Sequence, residues 1–209
     1  MDEVLLELAE AIRPSLQALT VPVEGRRPST KEICKALTNA EPVIQDHFGG
    51  PLFHRYKGCP QNAAVSFRVD GRPFKILEYL WDFSITRFMV PQAIEARQAP
   101  PINGGKFDLL FVAESELGTS TEICRDLLKL ALARSKVRCL VYQQARKPSQ
   151  QRALEARLVR TLHNYAHFAD SPEGWMFVAL AWNQDPVECV ISTLNDEHNA
   201  MVMIERPGR

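Results

Sequence analysis

Two apolar segments joined by a capped helix constrain this chain more than any other feature. Residues 106–117 read as an almost continuous apolar strand, and 137–143 (VRCLVYQ) read as a second one. Such strands belong in the middle of a sheet that is covered on both faces. Between them Gly118 ends the first strand and Thr119-Ser120-Thr121-Glu122 starts a helix that ends near residue 135. Ile123, Leu127, Leu130, Ala131 and Arg134 mark one face of that helix. A strand–helix–strand unit of this kind forms a right-handed crossover with its strands side by side.

The flanking segments fit around that unit. Leu5, Leu8, Ala9, Ile12, Leu16 and Leu19 have helical spacing, and Pro14 is expected to kink or split their helix. Residues 21–28 read as a linker. Ser29 or Thr30, with Glu32 following, makes a capping box for a second helix that reaches about residue 40, and Glu41-Pro42 opens another turn. From residue 63 the period becomes two. A short strand covers 63–69, Asp70-Gly71 marks a hairpin, and a long strand covers 74–88. That long strand places Tyr79, Trp81, Phe83 and Ile85 on one face, with Glu78, Leu80, Asp82, Ser84 and Thr86 on the other. After a Pro- and Gly-rich loop at 99–105 and the central unit come a helix at 149–168 and a strand at 175–182. Residues 188–194 and 200–205 read as a terminal hairpin on the surface.

The expected architecture is one α/β domain spanning 1–209, with a mixed central sheet flanked by helices. It divides into an N-terminal helical part (1–62), a core (63–144) and a C-terminal helix with strands (145–209). The 209 residues are 45% hydrophobic and 24% charged, which suits one ordinary globular core. Twenty-five Lys and Arg balance 25 Asp and Glu, so there is no strongly basic surface overall. A local basic patch remains open, drawn from Arg26, Arg27, Lys31, Lys35, Arg55, Lys57, Arg146, Lys147, Arg152, Arg157 and Arg160. No run is long and apolar enough for a membrane span, and acidic Asp2 and Glu3 do not suit a signal peptide, so a cytoplasmic location is expected.

Several other patterns carry little chemistry. The five cysteines are scattered without a CxxC and read as reduced core thiols. Cys59, with His47 and His54 upstream, lacks zinc-ligand spacing. His163 and His167 are four apart on a helix, but Asn164 stands where a zinc protease has glutamate, and the pair reads as helix-end cations. Gly49-Gly50 and Gly104-Gly105 precede no phosphate-loop lysine, and the serines around Gly118 lack a nucleophile elbow.

The acids at the end of the first central strand are different. Glu114 and Glu116 lie two apart, on one face and roughly 6–7 Å from each other. Like charges that close call for a positive partner. Asp82, in a strand flanked by Trp81 and Phe83, is the natural third member, because aspartate is depleted in strands. If the two strands are neighbours, Asp82, Glu114 and Glu116 converge, and the Ser115 main-chain carbonyl adds an oxygen. Hard oxygens of this sort suit Mg²⁺ or Mn²⁺, which activate water and stabilise charge on a phosphodiester. Asp108 lies six residues before Glu114 on the same face, roughly 20 Å away, too far to share an ion. The competing reading leaves Glu114 and Glu116 hydrated at a strand end.

This context, YLWDFSI, then FDLLFVAESELG, then EICRDLLKLAL, then VRCLVYQ, resembles the PD-(D/E)xK nuclease superfamily over roughly residues 63–144. That family shares the core of many restriction endonucleases and repair nucleases. The resemblance implies a restriction-endonuclease-like core behind N-terminal helices. It implies a magnesium-dependent endonuclease in which Asp82 and Glu114 hold the metal. Glu116 stands where the family usually carries lysine, so Glu116 would act on water. Lys129, on the following helix, would supply the missing charge if that helix packs over the site. By the same resemblance Gln143 is a weaker site-facing candidate, and Glu41 from an N-terminal helix completes the metal set. DNA is the implied partner, together with a homodimer or a larger nucleoprotein complex. The alternative is a non-catalytic protein on the same scaffold, an interaction or regulatory module whose acids are remnants.

Overall fold

The computed structural model describes residues 2–19, 27–50, 52–56, 66–69, 72–75, 81–88, 107–164, 174–182 and 187–205. Helix α1 (Asp2–Gln17) buries Leu5, Leu8, Ala9, Ile12 and Leu16 along one stripe. Pro14 lies inside α1 without splitting it. A proline there forfeits a helix bond at a cost of about 3 kcal/mol. Complete burial of Leu8, Ile12 and Leu16 on both sides of it offsets that loss.

Helix α2 (Thr30–Leu37) starts with the expected capping box. Ser29 N–H donates to Glu32 Oε2 at 2.7 Å, and Glu32 N–H donates back to Ser29 Oγ at 3.3 Å. It stops at Leu37, and α3 (Ala40–Phe48) follows, so the single helix expected to reach residue 40 ends earlier. Pro42 sits in the first turn of α3, where its missing N–H costs nothing. Gly49 and Gly50 then take positive φ values of 64° and 81° and turn the chain into β1 (Leu52–Tyr56). The sequence reading missed this strand, because His54 and Arg55 break any two-residue period.

Strands β2 (Ser66–Val69) and β3 (Arg72–Lys75) pair as a separate hairpin, with Val69 opposite Arg72. The long strand expected over 74–88 is therefore two elements in two sheets. Pro73 has no N–H to give to an inner ladder, which suits a two-stranded ribbon. Strand β4 (Phe83–Phe88) belongs to the main sheet. Glu78, Tyr79 and Leu80 lie outside the described residues.

Among the described residues the main sheet has seven strands, in the order β1-β4-β5-β6-β7-β8-β9. Its centre is parallel: β5 (Phe107–Glu116), β6 (Ser135–Gln143) and β7 (Trp175–Ala181) run together. Helix α4 (Ser120–Leu132) links the first two, and α5 (Pro148–His163) links the second and third. The apolar character of β5 and β6 thus put them where the sequence required. Both flanks are antiparallel: β1 and β4 on one side, β8 (Glu188–Leu194) and β9 (Met201–Met203) on the other. The expected surface hairpin is different in kind. Strand β8 pairs on both sides and buries Cys189 and Ile191, so it is an inner strand.

Each face of the sheet carries its own apolar core, as an α/β fold requires. On one face α1, α2 and α3 pack on Phe83, Ile85, Phe111, Ala113, Val137, Cys139 and Val141. On the other, α4 and α5 pack on Val112, Leu140, Tyr142, Phe177 and Ala179. A bulge interrupts the β4–β5 ladder: Ile85 faces Phe111 and Thr86 faces Leu109, which leaves Leu110 as the extra residue. Leu110 joins the first core and Leu109 packs against the second, so the alternation reverses there. No helix among the described residues is long and apolar enough to cross a membrane.

Candidate active site at the ends of β4 and β5

Asp82 stands immediately before β4. The last ladder pair is Phe83 with Ala113, which puts Asp82 across from Glu114. The Asp82 Oδ2 accepts the Ser115 N–H at 2.9 Å and the Ser115 hydroxyl at 3.1 Å. A carboxylate thereby takes the place of the next backbone acceptor, and β4 starts where it does. Two further contacts hold this corner. Cys34 Sγ donates to the Asp82 carbonyl at 3.5 Å, and Trp81 Nε1 donates to the Lys129 carbonyl at 3.4 Å. Strands β4 and β5 and helices α2 and α4 therefore meet around one aspartate.

Glu114 points to the α4 side and is only 2% exposed. Its Oε2 lies 3.5 Å from Lys129 Nζ, while its Oε1 is buried with no hydrogen-bond partner among the described residues. Lys129 Nζ also pairs with Asp126 Oδ1 at 2.6 Å. Helix α4 does pack over the strand end, and its capping box from Thr119 and Glu122 fixes where it begins.

The electrostatics follow from burial. Desolvation, then the charges of Asp82 and Asp126, push the Glu114 carboxyl up to about 8, against the pull of Lys129. Burial works against the Lys129 ammonium, but the Asp126 hydrogen bond and the charges of Glu114, Asp126 and Asp82 outweigh it and raise its pKa. The two shifts agree once Asp126 is recognised as the closer partner of the lysine. The Cys34 thiol is pushed up to about 12 by burial, then by Asp82 and Glu114, so it stays protonated. Three carboxyl groups face one ammonium here, and a cation bound beside Glu114 would favour its ionised form.

The residues present fit a divalent metal in a limited way. Glu114 offers its orphaned Oε1, and Asp82 lies across from it with Oδ2 committed to Ser115. Among the described residues no group of three or more His, Cys, Asp or Glu side chains is placed to hold an ion. Two carboxylates completed by water remain an ordinary donor set for Mg²⁺. No protein-family model, curated protein or solved structure matches the chain.

Other expected residues lie elsewhere. Glu116 turns onto its own chain, where Oε1 accepts the Gly118 N–H at 2.6 Å. Ser115 meets Asp82 through its N–H and hydroxyl. Glu41 pairs with His54 Nδ1 at 2.6 Å, and the His54 ring lies 6.5 Å from that of Phe83, in the core opposite Glu114. Asp108 pairs with Arg87, and the Leu110 bulge removes it from the Glu114 face on which plain alternation put it. Gln143 lines a separate cleft. His163 Nε2 contacts the His198 carbonyl at 2.7 Å. His167, Cys59, Arg26 and Lys57 lie outside the described residues.

Asp126 is the residue that sequence reasoning missed. Its signal was present: Ile123, Asp126, Leu127 and Leu130 form one i, i+3, i+4, i+7 stripe, and all four are buried. An acid on an apolar stripe needs a partner, and Lys129 is one turn away.

Proposed function

We propose that the chain is a metal-dependent nuclease that hydrolyses phosphodiester bonds of DNA. The observation that carries this reading is Lys129 Nζ standing 3.5 Å from Glu114 Oε2, with Asp82 across the ladder. It supplies, from α4, the positive charge that the Glu-x-Glu strand end lacks. The order of elements supports it as well. Asp82 opens β4, β5 closes on Glu114-Ser115-Glu116, and α4 and β6 follow in the sequence that the PD-(D/E)xK resemblance implies.

In this reading Asp82 and Glu114 hold one Mg²⁺ or Mn²⁺. The bound ion supplies Lewis acidity toward a phosphate oxygen and lowers the pKa of bound water. Lys129 stabilises negative charge developing on the phosphate, and Asp126 fixes where its ammonium lies. Ser115 orients Asp82 through two hydrogen bonds. Glu116, engaged by Gly118, takes no part.

One arrangement favours the second reading, a non-catalytic scaffold. The close Asp126–Lys129 pair neutralises itself without any ligand. Plasmid DNA incubated with Mg²⁺ or Mn²⁺ separates the two. Nicking or linearisation that chelator and Asp82→Ala both abolish supports the nuclease. Intact plasmid with either metal supports the scaffold.

A further inference from the structure

The second polar feature of the fold is a cleft of about 510 Å³ at the C-terminal ends of β6 and β7. This volume is that of a small-molecule site. The cleft is built on a fixed floor. Gln144 N–H donates to the Leu180 carbonyl at 2.9 Å, and Ala145 N–H donates to Gln151 Oε1 at 2.8 Å. The Gln151 amide is itself held by Tyr142 and Glu155.

Its walls carry three kinds of group. Arg146 and Arg152 flank the first turn of α5, which has no side-chain cap and no acidic residue. Trp182 gives an aromatic wall beside Leu180. Two buried atoms among these walls lack partners among the described residues, the acceptor Gln144 Oε1 and the donor Trp182 Nε1. Glu188 is the carboxylate on the β8 side, so an anion is directed to the arginines.

We propose that this cleft binds a nucleotide. The phosphate sits between Arg146 and Arg152 at the positive end of α5. The base lies against Trp182 and Leu180. A bare anion would leave the Trp182 wall uncovered, and an apolar ring would leave the arginines idle. Nucleobase and phosphate together match the whole cleft. The nucleotide comes free or as part of a strand. The inference needs no metal and stands apart from the nuclease reading.

The test uses the full chain in EDTA, where metal-dependent cleavage cannot interfere. Binding of AMP and of inorganic phosphate is measured by calorimetry. Binding of a fluorescein-labelled oligothymidine of about eight nucleotides is measured by anisotropy. AMP is expected to bind roughly tenfold or more tightly than phosphate and to quench tryptophan fluorescence. The Arg146→Ala/Arg152→Ala protein is expected to lose roughly tenfold or more in affinity at an unchanged melting temperature, since both side chains are exposed. Asp82→Ala retains binding. An oligonucleotide that binds more tightly than AMP identifies a strand as the source, and equal affinity identifies free nucleotide. Absence of binding to both, equal affinity for phosphate and AMP, or undiminished binding by the double variant overturns the proposal.

Discussion

Lys129 Nζ lies 2.6 Å from Asp126 Oδ1 and 3.5 Å from Glu114 Oε2, so one ammonium serves two carboxylates on different elements. If that ammonium stabilises the reacting phosphate, Lys129→Ala lowers the initial rate of plasmid cleavage by roughly 100-fold or more. Lys129→Arg retains charge and part of the rate. Asp126→Asn, which loosens the lysine without removing it, costs roughly tenfold. Equal rates for wild type and Lys129→Ala would remove the lysine from the mechanism.

Stability without metal should fall as pH rises. Glu114 is raised from its ordinary value of 4.5 to about 8, so the folded state holds its proton over a range where the unfolded chain has lost it. The stabilising contribution is complete below pH 4.5 and is lost as pH climbs through 8. Allowing for relaxation and water entry, the loss from this group between pH 5 and 8 is on the order of 2 kcal/mol. Urea unfolding in EDTA across that range measures it, and Glu114→Gln should flatten the profile.

Asp82 has a structural and a chemical part that two substitutions separate. Asp82→Ala leaves the Ser115 N–H and hydroxyl without their acceptor and costs about 1–3 kcal/mol in urea unfolding. Asp82→Asn keeps an acceptor oxygen and most of that stability, yet loses the charge that a metal needs. Cleavage should be abolished in both. Activity surviving in Asp82→Asn would make the aspartate a strand-end cap alone.

Helix α4 carries Lys129 and Asp126, and its first turn rests on Thr119 and Glu122. Thr119→Ala removes the acceptor for Glu122 N–H and is expected to cost about 1 kcal/mol of stability. Chemical denaturation reads this directly, and Ser29→Ala on α2 should behave alike because the two boxes are the same.

The parallel centre of the fold was legible because it is local. The apolar runs of β5 and β6, the capping box at Thr119 and the helix between them lie within about forty residues. The capping box at Ser29 was legible for the same reason. What the sequence concealed depends on contacts made at a distance. Strand β1 has no period of its own and exists because Leu52–Tyr56 pairs with β4. Strand β4 begins at Phe83, where Asp82 reaches across to Ser115. The bulge at Leu110 shifts Asp108 onto Arg87, which alternation along one strand does not reveal. Within the site, two-residue spacing put Glu116 beside Glu114, but the turn at Gly118 captured its carboxylate. Helical spacing would have found Asp126 had its place on the apolar stripe been weighed as a polar exception.

The central claim is that Asp82 and Glu114 share one divalent ion under Lys129. Calorimetric titration of the metal-free protein with Mn²⁺ tests it most directly, run beside Asp82→Asn and Glu114→Gln. One equivalent bound by the wild type, with binding lost in both variants while the fold persists, is the expected result. A wild type that takes up no Mn²⁺, or variants that bind it as well as the wild type, would contradict the account.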